Sequence, residues 1–156
     1  MRLTQYTDYA LRVLIYAGLN PNRAVQIGEI SRSFGISRNH LTKVVPRLAA
    51  GGYVRTARGK GGGIRLALPP RQIRLGEVVR HTEGDGKLVE CFDLKTNRCR
   101  IVPVCLLGTV LGEALESFLA ALDCYTLADI LESPGSLAAL LLIENGIAPG
   151  AAAAGR

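Results

Sequence analysis

No stretch of this 156-residue chain approaches the roughly 18 consecutive apolar residues that a membrane-crossing helix needs. No secretory pattern precedes the first amphipathic segment, so a soluble, cytosolic protein is expected. Tryptophan is absent and methionine appears once, scarcities that select no function by themselves. Other absences exclude more. The two histidines, His40 and His81, have no serine, cysteine or acid placed to make a catalytic set, which argues against an enzyme. The cysteines lack the paired C-x2–4-C spacing of common zinc sites. The Gly-rich stretch at 59–63 has no preceding strand and following helix of the P-loop kind, so it is not read as a nucleotide cradle.

Acidic residues are scarce in one half only. Residues 1–80 hold 14 Lys/Arg against 3 Asp/Glu, a net +11, while residues 81–156 hold 5 against 10, a net −5. A basic half joined to an acidic half points to a polyanionic partner for the first. A merely solvated basic surface is the plainer account of the same numbers.

Segment 4–20 places Ala10, Val13, Leu14 and Ala17 at helical spacing behind Thr4 as N-cap. Segment 26–35 aligns Ile27, Ile30 and Phe34 and closes at Gly35. Segment 37–52 starts at Ser37, buries Leu41, Val44, Val45 and Leu48, and stops at Gly51 and Gly52. Two short helices about a Gly-containing turn form a helix-turn-helix. Residues 53–68 then alternate about a basic, Gly-rich tip, with Val54 and Thr56 leading in and Ile64, Leu66 and Leu68 leading out: a wing.

In this arrangement the second helix presents Ser37, Arg38, Asn39, His40, Thr42 and Lys43 to the major groove. Asparagine pairs with adenine and arginine with guanine, while Lys43 or Arg47 meets phosphate. Arg58, Gly59 and Lys60 at the wing tip suit the minor groove or its backbone. Pro46 fits poorly inside a helix, where it costs about 3 kcal/mol or kinks the axis, so a bend is expected there.

The expected fold is mainly α with a small β-hairpin: a winged helix-turn-helix domain over 1–83 and a loop over 84–103. A long helix and short C-terminal helices follow over 104–143, then a disordered tail over 144–156. Leu107, Leu111, Ala114, Phe118 and Ala121 recur at steps of three and four, widened by Leu115 and Leu122. Such a seam suggests pairing with a second copy; packing back on its own domain is the alternative. Within 73–83, Val78 and Val79 pack inward, and 125–135 restarts a helix capped by Thr126.

Cys91, Cys99 and Cys105 stand in one Gly-free stretch, "CFDLKTNRCRIVPVCLL". In a reducing compartment such a group binds metal or does redox work rather than forming a structural disulfide. Three widely spaced thiolates suit an iron–sulfur cluster whose fourth corner takes another ligand. Cys124 lies too far along the following helix and is read as a buried apolar residue. On the first helix Asp8 falls opposite the core stripe, with Arg12, Ile15 and Leu19. Two large apolar residues there suggest a covering subunit whose cluster Asp8 reaches. An ordinary Asp8–Arg12 pair at i,i+4 is the other account, and geometry leaves both open.

The segments "LTQYTDYALRVLIYAGL", "ISRNHLTKVVPRLAAGGYVRTARGKGGGIRLALP", "CRIVPVCLL" and "SFLAALDCYTLADIL" resemble the NsrR-like nitric-oxide-sensing repressors. These belong to the bacterial winged-helix family that also includes IscR-like regulators. The likeness covers almost the whole chain, to about residue 143. It implies a homodimer on pseudo-palindromic double-stranded DNA, with one [4Fe–4S] cluster per subunit. The ligands implied are Cys91, Cys99 and Cys105, with Asp8 supplied by the other subunit and supported by Arg12. Nitric oxide would be the signal that releases DNA. The interval from Cys91 to Cys99 is longer than the family usually shows, so the chain must bulge near Asn97. An IscR-like [2Fe–2S] redox regulator, the alternative, uses a histidine soon after the last cysteine, and "CLLG" has none. A cluster-bearing electron carrier would have no use for the wing or the basic half. A plain DNA-binding protein with structural or zinc-holding cysteines is the remaining rival.

Overall fold

The computed structural model describes residues 3–59, 61–84, 88–93 and 95–141. Helix α1 (Gln5–Gly18) starts where the Thr4 hydroxyl accepts the Thr7 amide at 3.2 Å. Its stripe of Ala10, Val13, Leu14 and Ala17 is buried. Helix α2 (Ile27–Phe34) is capped by Glu29, which accepts the Gln26 amide, and ends at Gly35 in the left-handed region, φ 65°. Helix α3 (Arg38–Ala50) begins at Ser37 and buries Leu41, Val44, Val45 and Leu48.

Strands β1 (Val54–Ala57) and β2 (Gly63–Leu66) pair antiparallel, Val54 opposite Leu66 and Thr56 opposite Ile64. Val25 joins their edge: its amide donates to the Ile64 carbonyl at 2.9 Å, and its carbonyl accepts the Ile64 amide at 2.8 Å. The Gln26 side-chain amide also donates to the Gly62 carbonyl. The wing is therefore fastened to the entrance of α2, which fixes its tip relative to α3. Leu68 falls beyond β2 and is exposed, so the outgoing arm is shorter than the alternation implied.

A 3-10 turn at Pro70–Gln72 leads into α4 (Leu75–Glu83). Two further 3-10 turns, Glu90–Phe92 and Val102–Val104, lie in the loop before α5 (Leu106–Asp123). Two short helices follow, α6 (Leu127–Ile130) and α7 (Pro134–Leu140); the proline starts the second. Thr126 caps α6 together with Asp129. The expected tail over 144–156 lies outside the described residues. No helix among those described is long and apolar enough to cross a membrane.

Helix α1 is the hub, packing on α2, α3, α4, α6 and β2. Leu14, Ile30, Leu41, Leu48, Ile73 and Leu127 are fully buried around it. Each contributes about 1.5–3 kcal/mol by leaving water. Because α1 is wrapped at its C-terminal end, Leu19 is buried, 3% exposed, and Ile15 packs partly on the core. The outer face expected to carry both is thus covered within the chain, and no second subunit is needed to explain them.

Helix α3 runs unbroken through Pro46. The ring removes the amide that would bond the Thr42 carbonyl, but both residues are exposed, so water can take that carbonyl. Val45 and Leu48, buried on either side, hold the helix in place.

Helix α5 lies on α4, yet Leu119 is its only buried residue. Of the expected seam, Leu107, Ala114 and Ala121 are exposed, while Leu111 and Phe118 are half-buried beside Leu115 and Leu122. Cys124 was expected in the core but is exposed. It caps the end of α5, its thiol donating to the Ala120 carbonyl at 3.4 Å, and Leu127 takes the core position instead.

The end of α5 is clasped to α4 by Arg80, which donates to both Asp123 oxygens at 2.8 and 2.6 Å. These hydrogen bonds hold the Asp123 carboxyl below its ordinary value. A depressed folded-state pKa contributes stability above the unfolded value and loses it as pH falls through the folded one. Acid titration below about pH 4 should therefore loosen α5. Asp123→Asn should remove that component of the pH dependence, as read by circular dichroism against pH.

Candidate nucleic-acid interface and cysteine loop

The start of α3 presents Ser37, Arg38, Asn39, His40, Thr42 and Lys43, all exposed. They are not equally free. The Ser37 hydroxyl accepts the Asn39 amide at 3.3 Å, and the Thr42 hydroxyl donates to the Asn39 carbonyl at 2.8 Å. The His40 ring leans on Tyr9, centroids 5.7 Å apart. The Arg38 guanidinium lies over Gly28 of α2, where a Cβ would come within 2.9 Å of Nη2. Among the described residues nothing engages the side chains of Asn39 and Lys43, which leaves them to reach outward. At the wing tip Arg58 and Gly59 are exposed, and Gly59 adopts φ 91° as the Gly62 amide closes the turn onto its carbonyl at 3.0 Å. Lys60 lies outside the described residues.

Two further arginines lie higher up the wing than its tip. Arg55 and Arg65 stand directly opposite each other on its outer face, both exposed. The signal was available: in "YVRTA" and "GIRLAL" each arginine alternates with an inward apolar residue.

In the loop, Cys91 sits within the turn Glu90–Phe92 and Cys105 occupies the N-cap position of α5. Both line one open cleft of about 280 Å³ with Phe92, Val102, Gly108 and Thr109. A Cβ on Gly108 would stand 3.7 Å from the Cys91 sulfur, so glycine keeps this wall low. Cys99 is exposed and does not line the cleft. Its amide donates to Asn97 Oδ1 at 2.9 Å, and the Arg98 amide donates to Glu90 Oε1 at 2.8 Å, folding the segment back toward the Cys91 turn. The long cysteine interval is absorbed at 93–97, where the Thr96 and Asn97 amides both donate to the Asp93 carbonyl. All four cysteines are free thiols. Among the described residues no group of three His, Cys, Asp or Glu is assembled for a metal ion.

Asp8 is held by Arg12 through two bonds, Nε to Oδ1 at 3.0 Å and Nη2 to Oδ2 at 2.9 Å. Arg12 also lies over the Phe34 ring at 5.6 Å. The two line a second open cleft of about 430 Å³ with Tyr9, Gly35 and Ile36 among its walls. No residue lines both clefts. Asp8 thus lines a different cleft from Cys91 and Cys105 of the same chain.

The last turn of α4 is tied to the start of α1 and the end of α3. Glu83 Oε1 accepts the Thr4 amide at 2.8 Å and its hydroxyl at 3.0 Å, while Thr7 donates to Thr82 at 2.8 Å. Arg47 donates to the His81 carbonyl at 3.1 Å, and His81 Nε2 donates to the Arg47 carbonyl at 2.9 Å. His81, which the sequence left without a partner, is thus tied to the end of α3 and packs edge-on against Tyr53.

The Rrf2 family, described as iron-dependent transcriptional regulators, matches residues 3–133. The chain is 52% identical over 146 residues to the HTH-type transcriptional regulator NsrR of Bacillus subtilis, covering 93% of this chain and all of that one. It is 50% identical over 147 residues to NsrR of Geobacillus kaustophilus, covering 94% and 100%. Among solved structures, IscR of T. potens superposes with a TM-score of 0.69 at 22% identity, over 96% of this chain and 94% of that one. CymR of B. subtilis, the global cysteine regulator, gives 0.64 at 20% identity, over 83% and 95%. These likenesses agree with the helix-turn-helix, the two-stranded wing and the trailing helix found here: the chain belongs to the Rrf2 family of transcriptional regulators.

Proposed function

We propose that the protein is a homodimeric DNA-binding repressor whose cysteine loop holds a [4Fe–4S] cluster that senses nitric oxide. The observation that carries this reading is the convergence of the Cys91 and Cys105 thiols on one cleft at the start of α5. Soft thiolates with no disulfide partner are suitable donors for iron–sulfur iron. The exposed Cys99, on the segment folded back by Glu90, would supply the third thiolate. Asp8 of the other subunit would supply the fourth donor, as the resemblance implies. A bound cluster would supply iron that reacts with nitric oxide at the corner held by the harder, more labile carboxylate.

The chain's own residues account for the rest. Arg12 competes for the Asp8 carboxylate, so a tie across subunits through Asp8 is readily broken. A second copy is the proposed occupant of the apolar surface on α5 and the turn before it. There Val104, Leu106, Leu107 and Val110 are 87, 73, 62 and 48% exposed. Two α3 helices held about one DNA turn apart would read half-sites, Asn39 contacting bases and Lys43 phosphate.

Native mass spectrometry of anaerobically purified protein tests this directly. A dimer with four irons and four sulfides per chain is expected. Asp8→Ala should retain the fold and lose iron faster; unchanged retention would remove the cross-subunit ligand. Two irons and two sulfides would favour a redox regulator of the IscR kind. Zinc, or no metal, would overturn the cluster reading.

A further inference from the structure

We infer that Arg55 and Arg65, paired across the outer face of the wing, form a second backbone-phosphate clamp on DNA, separate from the base-reading helix and the wing tip. The register sets the two arginines directly opposite each other, and both are exposed. Like charges opposed across a ladder weaken a hairpin, and this hairpin has only four residues per strand. Neither strand carries an acid, and among the described residues neither arginine has a salt-bridge partner. Among the described residues nothing neutralises the pair. A phosphate between two guanidinium forks relieves the repulsion and takes paired N–H donors from each.

The position is also built to hold. Val54 and Ile64 bury the inner face beneath the pair. The Val25–Ile64 bridge and the Gln26–Gly62 bond fasten the hairpin to the entrance of α2. The arginines consequently keep a fixed offset from α3 and lie on the same two strands that lead to Arg58. The occupant expected is a sugar–phosphate backbone flanking the groove that the tip enters. The clamp would add affinity without reading sequence.

The inference rests on DNA binding, and the wild-type chain's own titration separates the two failures. Affinity of full-length dimer for operator and for scrambled duplex is measured from 0.05 to 1 M salt for wild type, Arg55→Gln, Arg65→Gln, the two Arg→Lys variants and Arg71→Gln. Arg71 lies near Asp129 of α6 and serves as the remote charge control. Each wing Arg→Gln change should lower the salt slope by about 1 and weaken binding about eightfold at 0.1 M, equally on both duplexes. Lysine should largely preserve the slope. Tm should stay level or rise, since a repulsive pair has been relieved, which a structural role would not produce. An unchanged slope, a lowered Tm with unchanged slope, or an equal fall in Arg71→Gln would overturn the clamp. If wild type shows no salt-dependent DNA binding at all, the DNA reading itself fails first.

Discussion

Gly76→Ala should destabilise the protein by about 2–3 kcal/mol, although alanine normally strengthens a helix by roughly 1 kcal/mol over glycine. Gly76 is buried in the first turn of α4, where α5 crosses it. A Cβ there would collide with the Asp123 carboxylate and stand 3.0 Å from the Leu119 carbonyl. One obstacle is backbone and the other is pinned by Arg80, so neither gives way cheaply. Relief requires α5 to lift away from α4, which exposes Leu119 and breaks the Arg80 clasp. Urea unfolding followed by circular dichroism should show the midpoint fall. A rise in the midpoint would mean that the two helices do not approach this closely.

Bound iron should fall to near zero in Cys91→Ala, Cys99→Ala and Cys105→Ala, and stay at the wild-type level in Cys124→Ala. None of the four thiols is buried, so each variant should fold, and loss of iron can be assigned to lost ligation. Cys91 and Cys105 share a cleft, and Cys99 lies on the same loop. Cys124 caps the opposite end of an 18-residue helix and is bonded to the Ala120 carbonyl. The readout is the iron-to-protein ratio after anaerobic reconstitution, with Tm recorded on the same samples. Full iron retention in Cys91→Ala or Cys105→Ala would remove the shared cleft as the site. Loss of iron in Cys124→Ala would place the site elsewhere.

The reading half of the molecule was legible in the sequence because its signals are local. Thr4 and Ser37 announce helix starts with their own side chains, and Gly35 marks a stop that needs a positive φ. The alternation around the Gly-rich tip gives both strands. What the sequence concealed depends on neighbours. Leu19 was placed on an outer face because a helical wheel treats α1 as touching one partner, whereas five elements surround it. Cys124 was placed inside by its residue type, yet the chain turns at Tyr125 and Leu127 fills the space. His81 had no partner in sequence because its partner, a carbonyl 34 residues away, is a backbone atom that no motif encodes. The cysteines were visible as a group, but spacing along a loop does not say which two face one cleft.

The ties at the end of α4 also imply an uneven distribution of stability. His81 and Arg47 grip each other's carbonyls, and Glu83 holds the cap of α1, so α1, α3 and α4 are bonded where they converge. Local opening of any one of them breaks bonds in another, and the three should exchange their amide hydrogens as one cooperative unit near the global unfolding free energy. Helix α5 buries only Leu119, keeps its other seam residues half-buried or exposed, and is clasped to α4 by one ion pair. In an isolated chain its amides should open at a much lower free energy, long before the reading half unfolds. A rigid head and a loosely seated arm thus share one polypeptide, and burying the arm's apolar face would slow exchange there without altering the head.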